Sequence, residues 1–430
     1  MAAAVAPISS QDDQPKKDLY EIGEIPPLGH VPEKMHAWVL RRERHGPPTQ
    51  AIKQEVVPTP EIDPDEVLML VMAAGVNYNG VWAMLGQPVS VFDGHKADYA
   101  VLGSDAAGIV WAVGSRVKRF KVGDEVVVHC NQDDGDDEEC NGGDPMFSPS
   151  QRIWGYETPD GSFAQFCKVQ ARQLMHRPKH LTWEESACYT LTLATAYRML
   201  FGHRPHILRP GQNVLVWGAS GGLGSMAIQL ITTAGANAIG VISDPSKEEF
   251  VRSLGARGVI NRKEFQCWGQ LPSVKDPEGY GAYMKKVREF GKAIWAITGK
   301  RVDVDIVFEH PGEATFPVSC FVVKRGGMVV FCAGTTGFNL TFDARFVWQR
   351  QKRVQGSHFA NLKQASQANQ LVIDRRIDPC MSEVFSWDDI PRAHEVMLAN
   401  EHKPGNMAVL VNAKRPGLRT FEDVVEQNAA

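Results

Sequence analysis

"NVLVWGASGGLGS", residues 213–225, decides the fold. "NVLVWG" reads as a short buried strand, and the apolar spacing of "GLGSMAIQLITTAG" reads as a helix. Between them lie Gly218, Gly221, Gly222 and Gly224. Such a turn lets backbone approach a pyrophosphate closely, and the unsatisfied N–H groups at the helix start meet its charge. A glycine string alone marks many tight turns. Here the rhythm continues: "AIGVIS", "SKEEFVRSLG", "GVI", "VDIVFEH" and "GGMVVFCAG" supply further strands and a helix. That alternation predicts an α/β domain with a doubly wound parallel sheet. The loop is therefore read as a dinucleotide site, with Gly218, Ser220, Gly221, Gly222, Leu223 and Gly224 as its contacts.

The choice of dinucleotide turns on the next strand end. An acidic residue about 20 positions after the loop would hold a ribose hydroxyl, and Asp244 in "VISDPSKEEF" stands near that distance. Taken alone it argues for NAD. Ser243, Lys247 and Arg262 offer instead a hydroxyl and two cations, which suit a 2′-phosphate. NADPH is the expected cofactor, with Lys247 as an ordinary solvated helix residue the plainer alternative. Cys332 and Ala333 in "CAGTTGF" follow a late strand and are placed near the nicotinamide.

Upstream the pattern changes. "HAWVL", "EVLMLVMAAGV", "AAGIVWAV" and "DEVVVH" are strands cut by Gly, Pro and Asp turns. "TWEESACYTLTLATAYRML" has helical spacing, and Thr182 with Glu185 forms a capping-box start. The chain therefore divides into an arm (1–34), a β-rich domain (35–184), the nucleotide domain (185–358) and a C-terminal segment (359–430). Its 430 residues exceed one ordinary core, and 43% hydrophobic with 22% charged residues is a globular composition. A net charge of −4 gives no overall basic field for nucleic acid or an anionic membrane. No apolar run approaches the ~20 residues that span a bilayer. The N-terminus lacks the basic start and apolar stretch of a signal peptide. Eight dispersed cysteines form no disulfide framework and suit the cytoplasm.

"VLMLVMAAGVNYN", "GSDAAGIVWAVGSRVKRFKVGDEV", "DGSFAQF", "LTWEESA" and "GASGGLGS", in this order, resemble the medium-chain dehydrogenase/reductase superfamily. Its members join a GroES-like catalytic domain, to which the C-terminus returns, to a Rossmann domain. "QRIWGYET", "DVDIVFEHPGEATF" and "KRVQGSHFANL" are narrower and resemble the crotonyl-CoA carboxylase/reductase family over about residues 18–415. Zinc-dependent members of the superfamily carry ligands where this chain has Asn77, Ser104 and roughly Leu191. The first two cannot ligate zinc, and a catalytic zinc needs three protein ligands. The expected metal is none.

The narrower resemblance implies reductive carboxylation. Hydride from NADPH reaches the β-carbon of crotonyl-CoA, and the enolate captures CO2 to give (2S)-ethylmalonyl-CoA, a CO2-fixing step of the ethylmalonyl-CoA pathway. It further implies a homo-oligomer, a dimer of dimers. The residues matching the family's CO2 pocket are Asn79, Tyr156, Glu157 and His358, with His358 also facing the cofactor. Asn79 and His358 can each aim an N–H at an oxygen, whereas an ionised Glu157 only accepts. Tyr156 gives an aromatic wall with a hydroxyl whose partner the sequence does not name. For the coenzyme A phosphates, Lys286, Arg288, Lys292, Arg350, Lys352 and Arg353 are weak candidates, since charge runs are usually solvated faces. The segment 265–300 looks longer than a minimal crossover, and an insertion there could help form the coenzyme A groove.

A simple enoyl-thioester or quinone reductase on the same fold is the second reading. A non-enzymatic, crystallin-like or RNA-binding member is the third, weakened by the acidic pI of about 6.4. "HCNQDDGDDEEC", residues 129–140, has the composition of a metal site. Two thiols ten residues apart with dispersed carboxylates close neither a tetrahedral nor a calcium site. It is read as a solvated acidic loop that leads to Glu157.

Overall fold

The computed structural model describes residues 15–299 and 301–429. The chain forms two compact units: the part up to residue 191 with the part from 381 onward, and residues 192–380. The sequence reading divides the chain at 184/185 and 358/359. The helix Leu362–Ile373, which that reading gives to the C-terminal segment, stays with the second unit. It is tied there by Arg198 donating to Gln364 (3.1 Å), while Gln229 and Asp378 exchange two hydrogen bonds just beyond it.

The first unit is built on a seven-stranded sheet whose centre is Glu66–Val76. Its run "VLMLVMAAGV" is buried throughout, because neighbours hydrogen-bond along both edges and both faces are covered. One of those neighbours is the C-terminal strand Asn406–Leu410, antiparallel in the register Met407–Val76 to Leu410–Ala73. A smaller three-stranded sheet holds Lys34–Arg41 between Ile52–Pro58 and Tyr99–Val101. The arm lies on this unit where it is described: Gln165 donates to the carbonyls of Tyr20 and Glu21, and Trp111 to that of His30. Residues 1–14 lie outside the described residues.

The second unit carries a six-stranded, all-parallel sheet. Its order is Gly258–Asn261, Asn237–Ile242, Asn213–Val216, Val304–Glu309, Val323–Phe331, Arg353–Gly356. In sequence order this is 3-2-1-4-5-6, the doubly wound arrangement, with its switch point between Asn213–Val216 and Val304–Glu309. The described residues 265–299 form the crossover between the strands Gly258–Asn261 and Val304–Glu309. The helix Pro277–Thr298 buries Met284, Val287, Phe290 and Ile294. Trp217 stacks on Phe290 at 5.6 Å between centroids. At 22 residues the helix is longer than the sheet needs, which is why the sequence looks expanded there.

The capping box at Thr182 and Glu185 is present, but the long helix expected after it breaks in two, Trp183–Ala187 and Thr190–Phe201. The interruption follows from Asp105, whose Oδ1 accepts the Leu191 N–H at 2.8 Å. A continuous helix would send that N–H to Ala187.

Candidate functional site

In the second unit the glycine loop has the geometry its sequence demands. Gly218 sits at φ +53°, and a Cβ there would lie 2.7 Å from the His310 ring. Gly224 leaves no room for a side chain against the Gly218 carbonyl, so strand and helix approach closely. Gly221 is different, since a Cβ there would meet only the Gly218 oxygen at 3.5 Å. Gly221 caps the helix Gly222–Thr233 with no side-chain hydrogen bond, so the first N–H groups remain for an anion. Ser220 is buried, and Gly222 and Leu223 are partly open. The loop fits a dinucleotide.

Asp244 is exposed and spends Oδ1 on the Ser246 N–H, capping its own short turn. That bond holds its carboxylate below the ordinary range. Ser243, Lys247 and Arg262 are half-buried around the same strand end, with the Arg262 guanidinium 5.6 Å from the Trp268 ring. Cys332 and Ala333 follow the strand Val323–Phe331, and Ala333 adopts φ +63°. A non-glycine residue in that conformation marks a turn fixed by its surroundings. His358 follows the edge strand Arg353–Gly356 and is exposed. Surrounding protein first, and the Arg198 guanidinium second, push its imidazole well down, so it is neutral at pH 7.

In the first unit, Asn79 is the second residue of the helix Tyr78–Leu85, and its Nδ2 donates to Ser104 Oγ at 2.8 Å. Tyr156 and Glu157 share one turn, in which the Glu157 N–H donates to the Ile153 carbonyl and Glu157 Oε2 accepts from the Ile153 N–H, both at 2.8 Å. The Tyr156 hydroxyl donates to the Val89 carbonyl at 3.1 Å, the partner that the sequence does not name. Burial, with the Glu157 charge next, pushes that phenol up to about 12.

Asn77 and Ser104, which stand at zinc-ligand positions of the superfamily, are engaged otherwise: Asn77 Nδ2 donates to Asp105 Oδ2 at 2.9 Å, and Ser104 accepts from Asn79. The acidic loop is braced from outside itself, Asp133 by Arg172 at 2.6 Å and Asp137 by the Ser148 hydroxyl at 2.5 Å. Asp134, Asp137 and Cys140 bring ligand atoms within 4.8 Å in a partly open setting. The loop leads through the strand pair Asn131–Gln132 and Arg152–Ile153 into the Glu157 turn.

The coenzyme A candidates separate. Lys286, Arg288 and Lys292 are exposed on the helix Pro277–Thr298. Lys352 is buried, and its ammonium donates to the carbonyls of Cys320 (2.8 Å) and Phe321 (2.9 Å) at the end of the helix Phe316–Val322. Burial first, then the Arg350 charge, pull its pKa down to about 8. Arg353 likewise spends its guanidinium on the Arg204 carbonyl and on Gln355. Arg350 lies over Phe346, 5.7 Å from the ring centre.

Sequence reasoning passes over two carboxyls sealed from solvent, Asp105 and Glu309. Glu309 ends the strand Val304–Glu309; its Oε1 accepts from Thr315 Oγ1 (2.7 Å) and the Gly312 N–H (3.2 Å), and its Oε2 from Ser319 Oγ (2.5 Å). The adjacent His310, whose Nε2–H donates to the Trp217 carbonyl at 2.9 Å, packs against Gly218. A lone acid inside an apolar run, "VLGSDAAGIV" or "DIVFEH", is the signal that could have found them.

Two family models match: "Alcohol dehydrogenase GroES-like domain" over residues 63–179 and "Zinc-binding dehydrogenase" over 222–374. The chain is 77% identical to the crotonyl-CoA carboxylase/reductase of Cereibacter sphaeroides, over 96% of either chain. A solved crotonyl-CoA carboxylase/reductase superposes with a TM-score of 0.93 at 75% identity, covering 96% of each chain. Another, AntE in complex with NADP, gives 0.89 at 47% identity, covering 93% of this chain and 100% of that one.

Proposed function

This chain belongs to the crotonyl-CoA carboxylase/reductase family, and from that premise we propose how its residues divide the NADPH-dependent reductive carboxylation of crotonyl-CoA. NADPH, when bound, supplies a hydride to the β-carbon; the displaced electron pair forms the thioester enolate, whose α-carbon bonds to CO2 to give ethylmalonyl-CoA.

The residues' task is to favour that bond over protonation of the enolate. The glycine loop and the helix N–H groups behind it take the pyrophosphate, and Ser243, Lys247 and Arg262 take the 2′-phosphate. Asn79 has one amide hydrogen committed to Ser104 and a second for an oxygen of CO2. His358, neutral at pH 7, is a hydrogen-bond donor and a poor acid. The Tyr156 proton is held by Val89, and its acidity is suppressed. Glu157 keeps one carboxylate oxygen in its own turn, leaving the other to accept from an ordered water. Lys286, Arg288 and Lys292 are the surface cations suited to coenzyme A phosphates.

The observation that carries this assignment is that the Tyr156 hydroxyl and one Asn79 amide hydrogen are committed within the first unit, which leaves the second Asn79 hydrogen as a fixed donor for CO2. Among the described residues no helix is long and apolar enough to cross a membrane. Eight free thiols suit the cytoplasm, and the family resemblance supports a homotetramer built as a dimer of dimers.

The test is a single incubation with NADPH, crotonyl-CoA, bicarbonate and carbonic anhydrase, with products resolved by mass. Ethylmalonyl-CoA is expected; butyryl-CoA alone would refute the reading. Glu157→Gln and His358→Asn are expected to move product from carboxylated to merely reduced thioester while NADPH oxidation persists. If both products fall in equal proportion, those residues do not govern CO2 capture.

A further inference from the structure

The loop that follows the Asn79 helix meets the Glu157 turn at two points. At the first, the Val89 carbonyl accepts the Tyr156 hydroxyl. At the second, Gly94 lies directly under Glu157: a Cβ on Gly94 would stand 2.9 Å from the Glu157 carbonyl oxygen, 3.0 Å from its Cα and 3.1 Å from its Cβ. Two of these three atoms are backbone, so the contact is relieved only by moving the turn itself. Gly94 has φ −84° and ψ −21°, ordinary right-handed values that any residue adopts. Glycine is required here by the space Glu157 occupies and not by backbone conformation.

The loop is fastened at its other side. His45 Nδ1–H donates to the Met84 carbonyl at 3.3 Å, which leaves Nε2 to accept the Ser90 hydroxyl at 2.9 Å. Arg42 donates to the Phe92 carbonyl at 3.2 Å, and Val91 and Phe92 are buried. Gly86 ends the Asn79 helix against the His45 ring. One connected piece, residues 78–94, thus carries Asn79 at its start and supports Tyr156 and Glu157 at its end.

We propose that Gly94 is a specificity-determining positioning residue: by seating the Glu157 turn against the loop that follows the Asn79 helix, it sets the fraction of enolate that captures CO2. The inference rests on the assignment of Glu157 to CO2 capture. Gly94 touches no reacting atom in this account and acts through Glu157.

The experiment compares Gly94→Ala, Glu157→Gln and the double variant, reading the ratio of ethylmalonyl-CoA to butyryl-CoA and the rate of NADPH oxidation in one assay. A displacement of a few tenths of an ångström in a preorganised site is expected to lower that ratio about tenfold in Gly94→Ala, with NADPH oxidation within about threefold of the parent. In the Glu157→Gln background Gly94→Ala should change the ratio no further, because both act through one group. Ser90→Ala, which releases the His45 tether and adds no atom, asks the same question should Gly94→Ala fold poorly; a fall of about twofold to threefold is expected from the loss of one hydrogen bond. A changed ratio in Glu157→Gln with unchanged ratios in Gly94→Ala and Ser90→Ala overturns the inference and leaves the Glu157 assignment standing. An unchanged ratio in Glu157→Gln removes that assignment itself, and the inference with it.

Discussion

Asp105 in the first unit and Glu309 in the second are carboxyls shut away from water, and burial pushes each up to about 7. Their neighbours then treat them differently. Around Glu309 the side-chain hydroxyls and backbone N–H groups can all point hydrogens inward. Ser319, for instance, already accepts the Trp217 indole N–H at 2.8 Å, so its own hydrogen goes to Glu309. Around Asp105 the hydroxyl of Thr190 lies within hydrogen-bond reach of both Asp105 Oδ1 and the Val128 carbonyl. One hydrogen serves two acceptors unless Asp105 carries a proton of its own. The donor sets therefore favour the anion at Glu309, close behind the nucleotide loop, more than at Asp105, where Thr190 divides one hydrogen between two acceptors although the Asn77 amide and the Leu191 N–H also donate. Burial brings both to the same point, and hydrogen counting then tips them in different directions.

The strongest way to break this contrast is Glu309→Gln. An amide there points two hydrogens into a ring of donors, which is expected to cost about 2–4 kcal/mol of stability. Thermal or urea unfolding reads it directly. Because His310 follows Glu309 and packs on Gly218, NADPH affinity measured by fluorescence titration should weaken as well. A variant as stable as the parent would mean that Glu309 is already protonated.

Asp105→Asn is the opposing test, and its expected cost at pH 7 is within about 1 kcal/mol, since an amide carries the hydrogen a neutral acid would. The pH dependence is sharper. Asp105 has a folded pKa above its unfolded value, so its contribution to stability is fully present below about pH 4 and is lost as pH rises through about 7. Removing that titration should flatten the fall in stability over this window by up to about 1.4 kcal/mol per pH unit. Melting temperatures from pH 4.5 to 7.5 measure the slope, and a slope unchanged from the parent would assign the titration elsewhere.

How far these features are legible in sequence depends on the range of the interactions. The nucleotide loop is legible because strand, glycines and helix are adjacent in the chain, and the sheet because strand–helix alternation is local. Asn79, Tyr156, Glu157 and His358 are marked only by family strings; no periodicity distinguishes an Asn in a turn from one that holds CO2. Lys352 misleads because "RQKR" has the composition of a solvated patch, whereas its ammonium closes the end of a helix some thirty residues earlier. Gly94 is silent for a similar reason: its constraint comes from Glu157, 63 positions on, and its own dihedrals are unremarkable.

The smallest effect is expected at Tyr156, a second place where the first unit retains a proton. Its hydroxyl is fixed to the Val89 carbonyl and pushed up to about 12, which makes it a weaker proton source for the enolate. Tyr156→Phe removes one neutral hydrogen bond, about 0.5–1.5 kcal/mol at most, and keeps the aromatic wall. Only part of that reaches the reacting atoms, so the ratio of carboxylated to reduced product should stay within about threefold of the parent, equivalent to about 0.6 kcal/mol. This outcome separates two ways in which the loop at 87–94 could act on the pocket. If Gly94→Ala shifts the ratio and Tyr156→Phe does not, contact beneath Glu157 sets the geometry and the tether above it is secondary. If Tyr156→Phe instead raises the ratio markedly, the phenol was a competing proton source, and the first unit does not hold its protons as Asp105 suggests.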